Sequence, residues 1–188
     1  MIKFSKDEKI WITSDWHFFH QKDFCYAPRG YSNSDEMTNN LINNFNEVVE
    51  PDDTVFCLGD CIMGSIDEEK IIRTLERLNG HIYLILGNHD GNKKVEAYEK
   101  CENITVLGYA EMVKWGKQCF YLSHYPTLTD NYDDEKSLHS KVINLCGHRH
   151  TKNKFEDFDK GYIYHVEVDA HNGYPITFDT IIKDLLEK

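Results

Sequence analysis

Five short apolar runs in this chain end on the same kinds of residue. Lys9–Ser14 (KIWITS) runs into Asp15-Trp16-His17, Thr54–Leu58 (TVFCL) into Gly59-Asp60, and His81–Leu86 (HIYLIL) into Gly87-Asn88-His89-Asp90. Phe120–Ser123 runs into His124, and Ile143–Cys146 into Gly147-His148-Arg149-His150. Runs of this length and makeup predict strands. In open α/β sheets the crevice outside the carboxyl ends of the strands is where ligands bind. Five such ends carrying Asp, His and Asn predict a shared metal site.

The segments between these runs predict helices. Asp35–Glu50 places Met37, Leu41, Ile42, Phe45, Val48 and Val49 on one helical face, and Pro51 ends it. Asp67–Leu78 carries a second stripe, Ile71, Ile72, Leu75 and Leu78, with Asp67 as N-cap and Asn79-Gly80 as the stop. Strands alternating with helices predict parallel βαβ units in the first half. In the second half, Ile104–Val113 and Lys117–Leu122 flank a tight connection at Trp115-Gly116. Val142–Cys146 and Tyr162–Val168 predict two more strands, and Asp179–Leu186 a closing helix with Ile181, Ile182, Leu185 and Leu186 inward. The acidic stretch 129–136 predicts a solvated loop. No repeat or linker divides the chain, so residues 1–188 are expected to form a single domain.

A chain of 188 residues is long enough to bury a sizeable core. Its net charge of −11 opposes a broad basic face for nucleic acid, but a small phosphate substrate stays compatible because bound metal ions reverse the local field. Lys3, Lys6, Asp7, Glu8 and Lys9 interrupt the start, so no secretory signal is expected there. No run reaches the length of a membrane span. The six cysteines are scattered without a CxxC pair, which favours reduced, buried thiols and a cytoplasmic location.

Carboxylate, amide and imidazole donors together suit Mn, Fe, Zn or Ni better than Ca. In an extended segment residues i and i+2 point the same way, so Asp15 and His17 are expected to share one metal, and His148 and His150 to face one cluster. Seven ligands exceed one tetrahedral site and fit two metals sharing a carboxylate. The glycines before Asp60, Asn88 and His148 allow sharp turns and close backbone approach.

As an ordered set, Asp15-x-His17, Gly59-Asp60, Gly87-Asn88-His89-Asp90, His124 and Gly147-His148-x-His150 resemble the signature of the calcineurin-like metallophosphoesterases, most closely the small bacterial and phage phosphoesterases. Leu122-Ser123-His124-Tyr125-Pro126 and Val168-Asp169-Ala170 add to the likeness. The resemblance implies an α/β/β/α sandwich, two mixed β-sheets flanked by helices. It implies Asp15, His17 and His150 on the first metal, Asn88, His124 and His148 on the second, and Asp60 bridging both with a water or hydroxide. It makes His89 a general acid beside the leaving group and Asp90 the residue that orients its ring.

The chain departs from the family at Phe19, where the first motif ordinarily continues aromatic-Gly-His; here it reads Trp16-His17-Phe18-Phe19-His20. Phe18 and Phe19 either stack on a nucleobase or aryl group or pack under the loop. His20, Arg29 and Arg149 are the remaining candidates for substrate binding, Arg29 and Arg149 as phosphate clamps. The implied activity is that of a dinuclear-metal phosphoester hydrolase, with Mn²⁺ the first metal to supply. Its expected substrate is a small or nucleotide-like diester. The alternatives are a phosphomonoesterase, a nuclease, or a non-catalytic scaffold with the same fold.

Overall fold

The computed structural model describes residues 1–129, 137–156 and 162–187; nearly all of the acidic stretch 129–136 lies outside them. Its elements run β1 (Ile2–Phe4), β2 (Ile10–Thr13), α1 (Asp23–Tyr26), α2 (Ser34–Val48), β3 (Thr54–Cys57), α3 (Glu68–Leu75), β4 (His81–Ile85), α4 (Asn92–Tyr98) and β5 (Ile104–Gly108). They continue with β6 (Ala110–Trp115), β7 (Gln118–Ser123), β8 (Val142–Cys146), β9 (Ile163–His165), β10 (Ile176–Thr177) and α5 (Phe178–Leu186).

Two mixed sheets result, flanked by helices. The first has the order β10-β2-β3-β4-β5, parallel except for β10. The second has the order β1-β6-β7-β8-β9, with β6 and β7 as its antiparallel pair. Alternation along the first sheet divides the core. Trp11, Val55, Cys57, Ile82 and Leu84 face Met37, Leu41, Phe45, Ile71, Leu75 and Tyr98 of the helices. Ile10, Ile12, Phe56, Leu58 and Ile85 face the other way, onto Val113, Trp115, Phe120, Leu122, Ile143 and Leu145 of the second sheet. Phe178 and Ile181 of α5 join that inner core, with the Phe178 ring 4.5 Å from Phe120.

The helix ends follow side-chain chemistry. Asn33 caps α2 by accepting from the Glu36 amide, and Asp67 caps α3 by accepting from the Lys70 amide, each at 2.9 Å. The second helix stops at Leu75 rather than Leu78. The run expected as one strand over Ile104–Val113 is two strands in different sheets. Gly108, at φ +98°, lets the chain leave the first sheet, and β6 then continues through Trp115 to a turn at Gly116-Lys117.

All five ligand-bearing segments follow the carboxyl ends of β2, β3, β4, β7 and β8, so both sheets deliver residues to one edge of the sandwich.

Candidate metal centre

The loops that carry the candidate ligands are stitched together by backbone. The Asp15 amide donates to Gly59 O, the His17 amide to Asp60 O and the Phe18 amide to Cys61 O, while the Gly147 amide donates to His124 O. Close approach does the rest. A Cβ on Gly87 would lie 2.2 Å from Asp60 Oδ1, and one on Gly147 would lie 2.1 Å from Asp15 Oδ2. Only glycine leaves room for these carboxylates.

Asp15 and His17 do converge, but not through extended backbone. Asp15 (φ +60°), His17 (+49°), Asp60 (+55°), His148 (+72°) and His150 (+50°) all occupy the left-handed region. Asp15 and His17 meet in one donor group from alternating left-handed positions, whereas His150 joins that group and His148 packs against His124. Each left-handed non-glycine residue costs about 1–3 kcal/mol and persists only where its surroundings impose it.

Two donor groups result. In the first, His17 Nε2 and His150 Nε2 are 3.0 Å apart, and Asp15 Oδ1 lies 3.6 Å from each. In the second, His124 Nε2 is 3.0 Å from Asn88 Oδ1 and 3.4 Å from Asp60 Oδ2. Asp60 Oδ2 is also 3.6 Å from His17 Nε2, so this one oxygen faces both groups. His148 sits against the second group, its ring 5.1 Å from that of His124 and its amide donating to Asp15 Oδ2.

The donor set fits cations. Asp15 Oδ1 is fully buried and has no hydrogen-bond partner among the described residues. His124 Nδ1 donates to Leu58 O at 2.7 Å, which leaves its Nε2 lone pair facing Asn88 and Asp60 oxygens. Lone pairs aimed at one another in a buried site are stable with a cation between them. Burial opposes the charged form of Asp15, but the neighbouring His17, His124 and His150 outweigh it and hold its pKa low. Burial lowers the pKa of His17 and of His148. Neutral imidazole is the ligand form.

Sequence reasoning missed a residue that supports this set. Asp169 accepts from His150 Nδ1 at 2.9 Å and holds Arg29 through both oxygens, at 2.9 and 2.7 Å. The motif Val168-Asp169-Ala170 was the available signal. The Arg29 guanidinium also donates to the carbonyls of Trp16 and Asp15. With its side chain only 6% exposed and bonded to these partners, Arg29 braces the ligand loops.

Other expectations are corrected as well. Asp90 does not reach the His89 ring; its carboxylate accepts from the amides of Asp60, Cys61 and Gly87 and from the Tyr98 hydroxyl. It therefore ties the Asp60 and Asn88 loops together. The exposed His89 has its amide on Asp60 Oδ1 at 2.8 Å and its ring centroid 5.5 Å from that of His17. Arg149 turns away from the cavity to Glu156, at 3.4 Å. Phe19 keeps a left-handed backbone (φ +66°) where glycine was expected, and its buried ring lies under Lys70 Nζ at 4.1 Å. Phe18 is buried and stacks on Trp16. Neither ring lines the cavity. His20 does, with its ring 5.8 Å from that of His17.

The cavity over the donor groups measures about 510 Å³ and is lined by His17, Asp60, Asn88, His89, His148 and His150, with Phe24, Pro28 and Met63 among its apolar walls. A two-sheet α/β scaffold thus presents carboxylate, amide and imidazole donors at its strand ends as a candidate metal centre. The calcineurin-like phosphoesterase family profile matches residues 8–187, and the chain belongs to that family. It is 34% identical to an uncharacterized protein of Methanocaldococcus jannaschii, over 96% of this chain and 92% of that one. It is 27% identical to the Gene 66 protein of Mycobacterium phage L5, over 75% and 77% of the two chains. Its fold is similar to that of a protein of unknown function from Aquifex aeolicus, with a TM-score of 0.67 at 20% identity, covering 94% of this chain and 99% of the other.

Proposed function

We propose that this chain is a phosphodiesterase that uses a pair of divalent transition-metal ions. Asp15, His17 and His150 would hold one ion, Asn88, His124 and His148 the other, and Asp60 would serve both. The observation that carries this reading is Asp60 Oδ2, 3.6 Å from His17 Nε2 and 3.4 Å from His124 Nε2. The oxygen and nitrogen donors suit Mn, Fe, Zn or Ni, with Mn²⁺ the first to supply. Bound there, the ions would contribute charge neutralisation at the phosphoryl oxygens and activation of water.

The chain's own side chains do the remaining work. Asp60 is fixed by the His89 amide at one oxygen and turns the other to both donor groups. The exposed His89 ring at the cavity is available to give a proton to the departing oxygen, which a poor leaving group requires. His20, with its pKa lowered by burial and by neighbouring His17, serves as a neutral wall of the substrate site.

A small or nucleotide-like diester suits the cavity, and the net charge of −11 disfavours a long polyanion. One catalytic domain and a reducing, cytoplasmic setting complete the reading, supported by the match over residues 8–187 and by six free thiols. No helix among the described residues is long and apolar enough to cross a membrane.

The test is Mn²⁺-supplemented hydrolysis of bis-p-nitrophenyl phosphate beside p-nitrophenyl phosphate, with Asp60→Asn as control and bound metal measured in parallel. Faster diester turnover, lost in Asp60→Asn together with metal at both positions, supports the reading. Monoester preference would make it a phosphomonoesterase, and tight metal binding without turnover a scaffold.

A further inference from the structure

Among the described residues three aromatic rings are strongly exposed, Phe24, Tyr109 and Tyr125, and the first and last of these border the metal centre. Phe24 is 71% exposed and Tyr125 is 51% exposed. Phe24 sits on the short helix α1 and lines the cavity, its ring edge-on to His20 at 5.2 Å. His20 in turn contacts His17, in the first donor group. Tyr125 lies beyond the second donor group, its ring 5.2 Å from His124 and 4.6 Å from His148. One open aromatic ring therefore touches the second donor group directly, and another reaches the first through His20. Met63 and Pro28 extend the apolar wall on the Phe24 side.

Leaving a large aromatic ring in water beside a charged site forgoes apolar burial. A phosphate with simple alkyl arms would use neither ring. A phosphodiester has two arms, one for the ring that meets His17 through His20 and one for the ring against His124 and His148. We infer that the substrate is a dinucleoside monophosphate, with one nucleobase stacking on Phe24 and the other on Tyr125. The inference rests on the phosphodiesterase reading of the metal centre. Base–aromatic stacking accepts every base, so the site would select length and planarity over sequence. The net charge of −11 disfavours binding of many further phosphates, which separates this substrate from a long strand. Hydrolysis would add water across one P–O bond, leaving a nucleotide and a nucleoside, with the departing oxygen taking a proton.

The experiment compares kcat/KM of the Mn²⁺-loaded protein on diadenosine monophosphate, on its two analogues lacking the base of one arm, on methyl p-nitrophenyl phosphate, and on a long single-stranded oligonucleotide. Loss of either base should lower kcat/KM about tenfold. Phe24→Ala and Tyr125→Ala should each lower the ratio of dinucleotide to methyl p-nitrophenyl phosphate turnover about tenfold, and in each variant one of the two base deletions should cost nothing more. Phe24→Trp should restore the ratio. Unchanged ratios, base deletions without effect, or preference for the long strand would overturn the inference while the metal hydrolase stands. A wild-type protein that hydrolyses no diester would overturn the phosphodiesterase reading and this substrate with it.

Discussion

Asp169 Oδ2 lies 2.9 Å from Nδ1 of His150, and the same carboxylate carries Arg29. Burial opposes both charges, but His150 and Arg29 outweigh it at Asp169 and lower its pKa, while Asp169 and Asp15 outweigh it at His150 and raise its pKa. The Asp169–Arg29 pair holds the His150 ring with Nε2 toward Asp15 and His17. Asp169→Asn should weaken Mn²⁺ binding about 10–100-fold, read by titration calorimetry. An unchanged isotherm would mean that His150 needs no such support.

Tyr98 donates to Asp90 at 2.8 Å from a fully buried hydroxyl. Tyr98→Phe should cost about 1–3 kcal/mol in urea unfolding, because an Asp90 oxygen loses a buried donor. Diester turnover should fall with it, since Asp90 holds the Asp60 and Gly87 amides. Stability lost with full turnover retained would separate Asp90 from the geometry of Asp60.

Phe19 offers a test of backbone strain. Phe19→Ala and Phe19→Gly both remove a buried ring, at about 3–5 kcal/mol. Only glycine also relieves the left-handed backbone, worth about 1–2 kcal/mol. Thermal unfolding should therefore rank Phe19→Gly above Phe19→Ala, opposite to the order at ordinary positions.

His89→Ala should leave metal binding intact and slow hydrolysis most for diesters with poor leaving groups. A series of aryl methyl phosphates of rising leaving-group pKa reads this as a steeper dependence in the variant. Equal slowing across the series would count against proton donation by His89.

His165 is buried between Glu167, at 3.2 Å, and Glu156, at 2.8 Å. Burial pushes its pKa down, but the two carboxylates outweigh it and the net shift is upward. The stabilisation is thus fully present below the ordinary histidine value of about 6.5 and is lost as pH rises through the raised value. His165→Gln should cost about 3 kcal/mol near pH 6, and the deficit should shrink toward pH 9. A deficit independent of pH would mean that His165 is neutral in the folded protein.

Much of this architecture is legible in the sequence for identifiable reasons. Alternation in KIWITS and TVFCL sorts Trp11 and Val55 from Ile12 and Phe56 as the two faces require, and the polar strand ends mark the site edge. What stays hidden is partner choice. Asp90 stands beside His89 in the chain, yet its carboxylate is spent on amides of other loops and on Tyr98, in a helix with too little apolar periodicity to announce itself. Arg29 finds Asp169 across 140 positions of sequence. The i, i+2 spacing fits extended backbone and alternating left-handed backbone equally, so convergence was readable while its cause was not.

The left-handed backbone at Asp15, His17, Asp60, His148 and His150 also sets the vocabulary of the site. Among side chains able to bind metal, Asp, Asn and His enter that conformation most readily, whereas β-branched and bulky residues are outliers there. The loops thus admit short carboxylates and imidazoles at these five positions before any ion is present. A centre drawn from that vocabulary offers borderline nitrogen and hard oxygen, with no thiolate to favour Cu(I). Which metals this protein can use is, to that extent, decided by the torsion angles of its main chain.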